Sequence, residues 1–114
     1  MVFKQSDLKG DMIEGLLGGK GSVCLTPLDT ALLPEKCGLF AKLTLPAGST
    51  VGEHEHVGEA EVFCFLSGSG FVTDDGERVK IERGDVMITV SGHRHSIENT
   101  GKEDMELIAV IIKA

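Results

Sequence analysis

Two histidines and a carboxylate lie close together in the segment Gly48–Gly68, at a spacing that suits metal ligation. One residue separates His54 from His56, so on a β-strand both side chains point to the same face. After a short turn the chain enters an apolar run in which Glu61 can face the same way on a neighbouring strand. His95 offers a fourth ligand from a second segment. Three imidazoles and one carboxylate suit Mn, Fe, Co, Ni, Cu or Zn.

Spacing alone leaves rivals for two of these positions. Glu59 shares strand parity with Glu61, and His93 shares parity with His95. Cys64 is also close, but it has the opposite parity to Glu61, which argues against a thiolate ligand. At this level the carboxylate and the third histidine therefore have two candidates each.

The two segments resemble the paired motifs of the cupin superfamily. The first motif has glycine, five residues, His-x-His, a spacer, glutamate, six residues and glycine. Every one of its anchor positions is matched here, by Gly48, His54, His56, Glu61 and Gly68. The resemblance implies that Glu61 is the ligand and that Glu59 is solvated in the loop before it.

The second motif has glycine, five residues, proline, one residue, glycine, two residues, histidine, three residues and asparagine. Gly84, Gly92, His95 and Asn99 match it, whereas Val90 takes the proline position. This departure concerns the turn and not a ligand. The resemblance implies one divalent transition metal per chain, held by His54, His56, Glu61 and His95. His93 and Arg94 are then expected to line the mouth of the barrel.

Composition restricts the class of protein. The chain has 114 residues, of which 41% are hydrophobic and 25% charged, which is typical of one globular domain. Its longest apolar runs are too short for a bilayer span. The net charge of −7, with scattered basic residues, argues against nucleic acid as a partner. Three cysteines without a CxxC pair suit a reducing compartment, so a cytoplasmic location is expected.

Short strands separated by turn residues dominate from Ser22 onward. Asp75-Gly76 predicts a two-residue hairpin turn. The expected strands are 22–26, 39–45, 50–56, 61–66, 70–73, 77–81, 86–89, 95–99 and 106–112. The prediction is an all-β, largely antiparallel fold, and the resemblance specifies a double-stranded β-helix, the jelly-roll barrel of cupins. It comprises one domain, with an N-terminal arm over 1–21 and a barrel core over 22–114.

The N-terminal arm carries two local signals. Met1–Phe3 predicts a short edge strand that pairs within the molecule or with a second subunit. Asp11 and Glu14 have the spacing of a capping box, which predicts a helical turn through Leu17.

Around the metal we expect an apolar wall, drawn from Phe63, Phe65, Phe71, Val86 and Ile88. Lys42 lies in an alternating segment and has two interpretations. If it faces inward it could anchor a substrate carboxylate. The cleaner apolar pattern, with Leu39, Ala41, Leu43 and Leu45 inward, favours a lysine that faces solvent.

Two functions follow from the resemblance. The first is a metal-dependent enzyme that acts on a small carboxylate, keto acid or sugar-like molecule, since the chain resembles one half of an oxalate-decarboxylase-like protein. Fold and ligand set do not fix the reaction, because cupins include decarboxylases, dioxygenases, isomerases and lyases. The alternative is a non-catalytic sensor or carrier. A homodimer is expected, because Leu107–Ile112 and the N-terminal strand are more apolar than a small barrel needs.

Overall fold

The computed structural model describes all residues 1–114, and its secondary structure is mostly β. Short 3-10 turns lie at Gln5–Asp7, Leu16–Gly18 and Thr30–Leu32, and no helix is long and apolar enough to cross a membrane. The ten strands are β1 (Asp11–Glu14), β2 (Ser22–Pro27), β3 (Cys37–Leu45), β4 (Thr50–Glu55), β5 (Glu59–Ser67), β6 (Ser69–Asp74), β7 (Glu77–Glu82), β8 (Val86–Thr89), β9 (Arg94–Glu98) and β10 (Met105–Lys113).

The strands form two antiparallel sheets, which confirms the all-β prediction. The six-stranded sheet has the order β1-β2-β3-β10-β5-β8, and the four-stranded sheet has the order β4-β9-β6-β7. Side chains of both sheets meet in one core, among them Leu43, Phe63 and Leu107 from the larger sheet and Val51 and Ile97 from the smaller. No strand pair joins the sheets, so the fold is a two-sheet jelly roll and not a hydrogen-bonded closed barrel.

The hairpin between β6 and β7 has the predicted two-residue turn. Asp74 pairs with Glu77, and the two residues between them have positive φ angles, 50° for Asp75 and 83° for Gly76. Two successive positive φ values match the right-handed twist of the flanking strands. The turn presents Asp75 beside the end of β9.

The N-terminal predictions are wrong in two places. Met1–Phe3 forms no strand and is exposed. Asp11–Glu14 is not a helical turn but strand β1, paired residue by residue with β2. Hydrogen bonding to a neighbouring strand overrides a local capping signal, which stabilises a short helix only weakly. The helical turn of this region is the 3-10 turn Leu16–Gly18.

The prediction that Val86 and Ile88 of β8 face the core is also wrong. Val86 and Ile88 are 65% and 59% exposed, while Met87 and Thr89 are buried. Met87 lies opposite Phe63 in the β5–β8 ladder, and residues directly opposite each other share a face of the sheet. The segment Val-Met-Ile-Thr has no polar–apolar alternation that could have fixed its parity.

Two further members of the expected wall are buried and one is not. Phe63 and Phe65 are core residues, as predicted. Phe71 instead lies on the outer face of its sheet, where the guanidinium of Arg78 is 3.6 Å from the ring centroid. A cation over an aromatic face is a favourable contact at the surface.

Lys42 faces away from the core, as the apolar pattern of β3 favoured. Ala41, Leu43 and Leu45 are buried, while the Lys42 ammonium lies 3.2 Å from the Glu106 carboxylate. It borders a groove of about 520 Å³ on the outer face of the larger sheet. Lys42 is therefore not part of the histidine cluster.

Candidate metal centre

The structure brings together the four residues that the resemblance selects. One possible ligand atom from each of His54, His56, Glu61 and His95 lies within 4.8 Å of the others. A register shift in the β4–β9 ladder follows Val51, so Val51 and His54 both face inward although three positions apart. His54 then pairs directly with His95. His95 is 0% exposed, and Glu61 is buried on β5.

The spacing of the donor atoms suits a six-coordinate ion. His95 Nε2 lies 3.0 Å from the Nε2 atoms of both His54 and His56. Glu61 Oε1 is 2.9 Å from His56 Nε2 and 3.1 Å from His95 Nε2. With metal–ligand bonds of about 2.1 Å, donors at right angles are about 3.0 Å apart, whereas tetrahedral donors are about 3.4 Å apart. A six-coordinate ion held by these four donors would have two positions left for another molecule.

The Nδ1 atom of each histidine has its own hydrogen-bond partner. His54 Nδ1 lies 2.7 Å from the backbone carbonyl of Gly52, which can only accept, so this nitrogen carries the hydrogen. His56 Nδ1 donates to the Glu59 carboxylate at 2.7 Å. His95 Nδ1 lies 2.7 Å from the Thr89 hydroxyl.

The carbonyl and the carboxylate leave Nε2 of His54 and His56 free to bind a metal, and the Thr89 hydroxyl is compatible with the same tautomer of His95. In a neutral imidazole with hydrogen on Nδ1, Nε2 presents a lone pair. The Nε2 atom of His95 lies about 3 Å from the Nε2 atoms of His54 and His56 and from a Glu61 oxygen, and such electron-rich atoms repel one another unless a proton or a metal cation lies between them. Burial lowers the pKa of His54, and the neighbouring histidines lower it further. His54 therefore stays neutral near pH 7, the form that binds a metal, and the donor set fits a divalent ion.

Phe63 packs against the cluster, and Asn99 is a second buried residue of the motif that lies at the end of β9. The ring of Phe63 stacks on His95, with centroids 4.8 Å apart and an interplanar angle of 20°. Asn99 donates from its amide to the carbonyls of Leu45 and Glu103, each at 2.8 Å. The asparagine of the second motif thus has a structural role at the end of β9.

The turn before β9 forms without the proline of the motif. His93 N donates to the Val90 carbonyl, and Gly92 adopts a φ of 89°. Gly92 N also donates to the His56 carbonyl at 2.7 Å. The turn is therefore closed by hydrogen bonds and attached to the strand that carries His56.

His93 and Arg94 do not line the cavity over the cluster, contrary to expectation. His93 Nδ1 contacts the Asp75 carboxylate, and Arg94 Nε lies 3.1 Å from Glu53 Oε1; all four side chains are exposed. The hydrogen bond to Asp75 raises the pKa of His93. The pKa of Asp75 is lowered, first by the backbone N–H of Arg94 and then by His93.

Sequence reasoning missed the outer partners of the histidines. Glu59 was expected in a solvated loop, but it begins β5 and accepts from His56. Thr89 was missed because its strand was assigned the wrong parity. The register places Thr89 opposite Glu61, so a correct β8 pairing would have revealed it.

A cavity of about 340 Å³ opens beside the cluster. Eight of its 13 lining residues are hydrophobic, including Leu16 and Leu17 of the 3-10 turn. His54, His56 and Glu61 form its polar end. A small molecule in this cavity would contact the donor atoms and an aliphatic wall together.

Two antiparallel sheets around an inward-facing His₃Glu set define a class of protein, the jelly rolls with a candidate mononuclear metal site. Residues 41–111, more than half of the chain, match the family model described as Cupin domain. This chain belongs to the cupin family.

The similar proteins agree with that assignment. The chain is 45% identical over 113 residues to the oxalate-binding protein of Thermotoga maritima, covering 98% of this chain and 93% of the relative. It is 32% identical over 84 residues to the tetracenomycin polyketide synthase protein TcmJ of Streptomyces glaucescens, covering 74% of this chain and 54% of that protein.

Solved structures show the same fold. A crystal structure of a predicted oxalate decarboxylase from Thermotoga maritima has a TM-score of 0.96 and 44% identity, with 100% of both chains covered. A cupin domain from Schizosaccharomyces pombe has a TM-score of 0.75 at 20% identity, covering 91% of this chain and 69% of that one. The latter likeness concerns the fold alone.

Proposed function

We propose that this cupin binds one divalent transition metal through His54, His56, Glu61 and His95 and uses it to bind a small carboxylate. The observation that carries the proposal is the orientation of the histidines, whose Nδ1 atoms are bound outward while their Nε2 atoms converge. Mn, Fe, Co, Ni, Cu and Zn all accept this mixture of imidazole and carboxylate. A bound ion supplies Lewis-acid attraction for a carboxylate at its open positions.

The name of the Thermotoga relative supports a small carboxylate as the ligand. That relative is an oxalate-binding protein, and it matches this chain over almost its whole length. Oxalate is a bidentate chelator that would fill two adjacent coordination positions. The protein's own part is to hold the four donors and to shield the ligand from bulk water.

A metal-dependent enzyme is the second candidate, favoured by the two positions that a six-coordinate ion held by the four donors would have left. An enzyme of this kind would also need a general acid or base in the cavity. Of the two other carboxylates that line it, Glu59 already accepts a hydrogen bond from His56, and Glu55 lies exposed at the rim. Incubation of the metal-loaded protein with oxalate, with and without dioxygen, tests for carbon dioxide release. Turnover that disappears in His95→Ala would establish the enzyme.

Element-resolved metal content of the purified protein, followed by titration calorimetry with oxalate, tests binding. We expect about one metal per chain, and oxalate binding that is lost when the metal is removed with a chelator and restored with the metal. A wild-type protein that stays empty after reconstitution with several metals would overturn the proposal. Oxalate binding that is equal with and without metal would overturn the role of the ion.

We also propose a homodimer, on the basis of apolar surface. The outer groove of the larger sheet is lined by hydrophobic side chains that include Phe3, Leu28, Phe40 and Ile108. Val86 and Ile88 expose further apolar surface on the outer face of β8. Light scattering after size exclusion should give twice 12.1 kDa, and a species of 12.1 kDa would contradict the dimer.

The free thiols and the net charge support proposals for the cellular compartment and the kind of partner. Cys24, Cys37 and Cys64 are all free, which suits a reducing compartment such as the cytoplasm. The net charge of −7 opposes binding to nucleic acid. A small molecule therefore remains the proposed ligand.

A further inference from the structure

The cavity beside the histidine cluster offers little to a ligand with two charges. Apart from the cluster itself, the charged side chains that line it are those of Glu55 and Glu59. Both are carboxylates, which accept hydrogen bonds and repel an anion. No lysine or arginine lines the cavity. The metal would therefore have to compensate the ligand's negative charge alone.

The chemistry of the wall favours a ligand with an aliphatic part. When oxalate chelates a metal, two of its oxygens point away from the ion and need hydrogen-bond donors or water. Most of the other residues that line the cavity are aliphatic, among them Leu17, Leu39 and Ile111. An apolar surface in that place loses water favourably only to another apolar group.

The wall at Leu16–Leu17 is held firmly in place. A Cβ atom on Gly19 would lie 2.1 Å from the Thr50 carbonyl oxygen, and one on Gly52 would lie 2.0 Å from the Leu17 carbonyl oxygen. The 3-10 turn is therefore pressed backbone to backbone against β4. Such an approach is possible only because both positions are glycine.

Leu17 itself has a backbone conformation that is rare for its residue type. Its φ angle is 53°, in the left-handed region, and its side chain is 53% exposed although it borders the cavity. Leucine is disfavoured at positive φ, whereas glycine and asparagine are tolerated there. Leu17 lies in the cavity lining with half of its surface exposed, so its aliphatic side chain is available to a ligand there.

We propose that the preferred ligand is a 2-oxo acid with an aliphatic side chain. Its carboxylate and oxo group would chelate the metal, and its hydrocarbon tail would pack against Leu17 and the neighbouring aliphatic wall. The proposal rests on the proposed metal site and specifies its ligand class. It differs from an oxalate-selective site, because a monoanion with a tail suits the acidic, apolar lining better than a dianion does.

The test is titration calorimetry of the full chain loaded with one equivalent of Ni²⁺, using pyruvate, 4-methyl-2-oxopentanoate and oxalate as ligands. The first two have the same chelating head and differ only in the tail. Each fully buried methylene strengthens binding about fourfold. Since the cavity is partly open, we expect 4-methyl-2-oxopentanoate to bind at least about tenfold tighter than pyruvate and no more weakly than oxalate.

Leu17→Asn tests the wall, because asparagine accepts the positive φ and replaces aliphatic surface with an amide. The tenfold preference should fall to about threefold or less, while pyruvate affinity changes less than about twofold. Leu17→Gly, which relieves the backbone, should lower the preference in the same way. Leu32→Asn is the matched control, since Leu32 is 45% exposed on another 3-10 turn and lies outside this cavity.

The outcomes separate this proposal from the one on which it rests. If no carboxylate binds the Ni²⁺-loaded protein, or if all bind equally without Ni²⁺, the proposed function itself fails. If oxalate and pyruvate bind through the metal but the longer 2-oxo acid has no advantage, only the ligand class is overturned. A preference that persists in both Leu17 variants would overturn the role of this wall.

Discussion

His95 and His93 lie two residues apart at the start of β9, yet their surroundings are opposite. His95 is 0% exposed, stacks on Phe63, and has its Nδ1 atom next to the neutral hydroxyl of Thr89. His93 is exposed, and its Nδ1 atom contacts the carboxylate of Asp75. The exposed carboxylate partner raises the pKa of His93 and favours its imidazolium form.

The comparison shows how one residue type acquires two roles on one strand end. The inward histidine directs its Nε2 atom at the other possible ligands, because Thr89 holds its Nδ1 atom on the far side of the ring. The outward histidine binds its proton more tightly and joins a surface ion pair. The alternation of the strand assigns each residue to its face, and the partners of Nδ1 then set the chemistry.

Removing each histidine in turn tests most directly whether their roles differ. His95→Ala deletes one of four donors, and we expect metal content to fall from about one per chain to below about one tenth. His93→Ala should retain the metal, because its side chain lies on the surface. Metal analysis after dialysis measures both. Full metal content in His95→Ala, or its loss in His93→Ala, would reverse the assigned roles.

Thr89→Val should have the next largest effect. The variant keeps the shape of the side chain but removes the oxygen beside His95 Nδ1, and loss of such an outer partner typically weakens metal binding about tenfold to one hundredfold. Competition with a chromogenic chelator measures the affinity. Thr73→Val is the matched control. It also removes a threonine hydroxyl, but that hydroxyl forms a hydrogen bond with Ser96 on the outer face of β6 and contacts no histidine. Equal affinities for the two variants would contradict the role of Thr89.

A smaller loss is expected for Glu59→Gln. The glutamine amide can still accept the hydrogen bond from His56 Nδ1. It lacks the negative charge that makes this imidazole a stronger metal ligand, so metal affinity should fall about threefold to tenfold. Glu55→Gln removes a charge from the cavity rim without contacting a histidine Nδ1, and it should change affinity less than about twofold. The same chelator competition compares them. An effect of Glu55→Gln as large as that of Glu59→Gln would reduce the role of Glu59 to general electrostatics.

The surface pair gives the smallest effect. Asp75→Asn should return the pKa of His93 toward its usual 6.5, and NMR titration of the imidazole measures that change. The raised pKa of His93 stabilises the fold below about pH 6.5, and this contribution disappears as pH rises through the folded-state value. The lowered pKa of Asp75 contributes above about pH 3.8 and is lost as pH falls through its folded-state value.

The pair therefore contributes mainly between about pH 3.8 and 6.5. Because both side chains are exposed, denaturation midpoints of wild type and Asp75→Asn should differ little even there. An unchanged His93 pKa in the variant would refute the pairing.

The converging cluster could be predicted because strand parity places His54 and His56 on one face and the resemblance to the cupin motifs selects Glu61 and His95. His54, His56, Glu61 and His95 fall at motif positions, and Asp75-Gly76 predicts its own turn. These signals are local in sequence. The alternation of β3 likewise predicted the outward direction of Lys42.

What could not be predicted depends on pairing between distant segments. β8 has apolar residues on both faces, so only its register with β5 shows that Thr89 reaches the cluster. Val51 and His54 share a face because of a register shift in the β4–β9 ladder, which Gly52 signals only weakly in the sequence. Asp11–Glu14 forms a strand because β2 is beside it, whatever its capping pattern indicates.

The position of β10 in the larger sheet has a consequence for how the molecule folds. β10 lies between β3 and β5 and pairs with both, so residues 105–113 join segments near 37–45 and 59–67. On the ribosome, β3 and β5 have no neighbour to link them until residue 113 has emerged from the exit tunnel. Pairing at such long sequence separation slows folding. Until β10 pairs with them, β3 and β5 lack the strand that joins them, and exposed apolar strands of this kind are prone to non-native pairing.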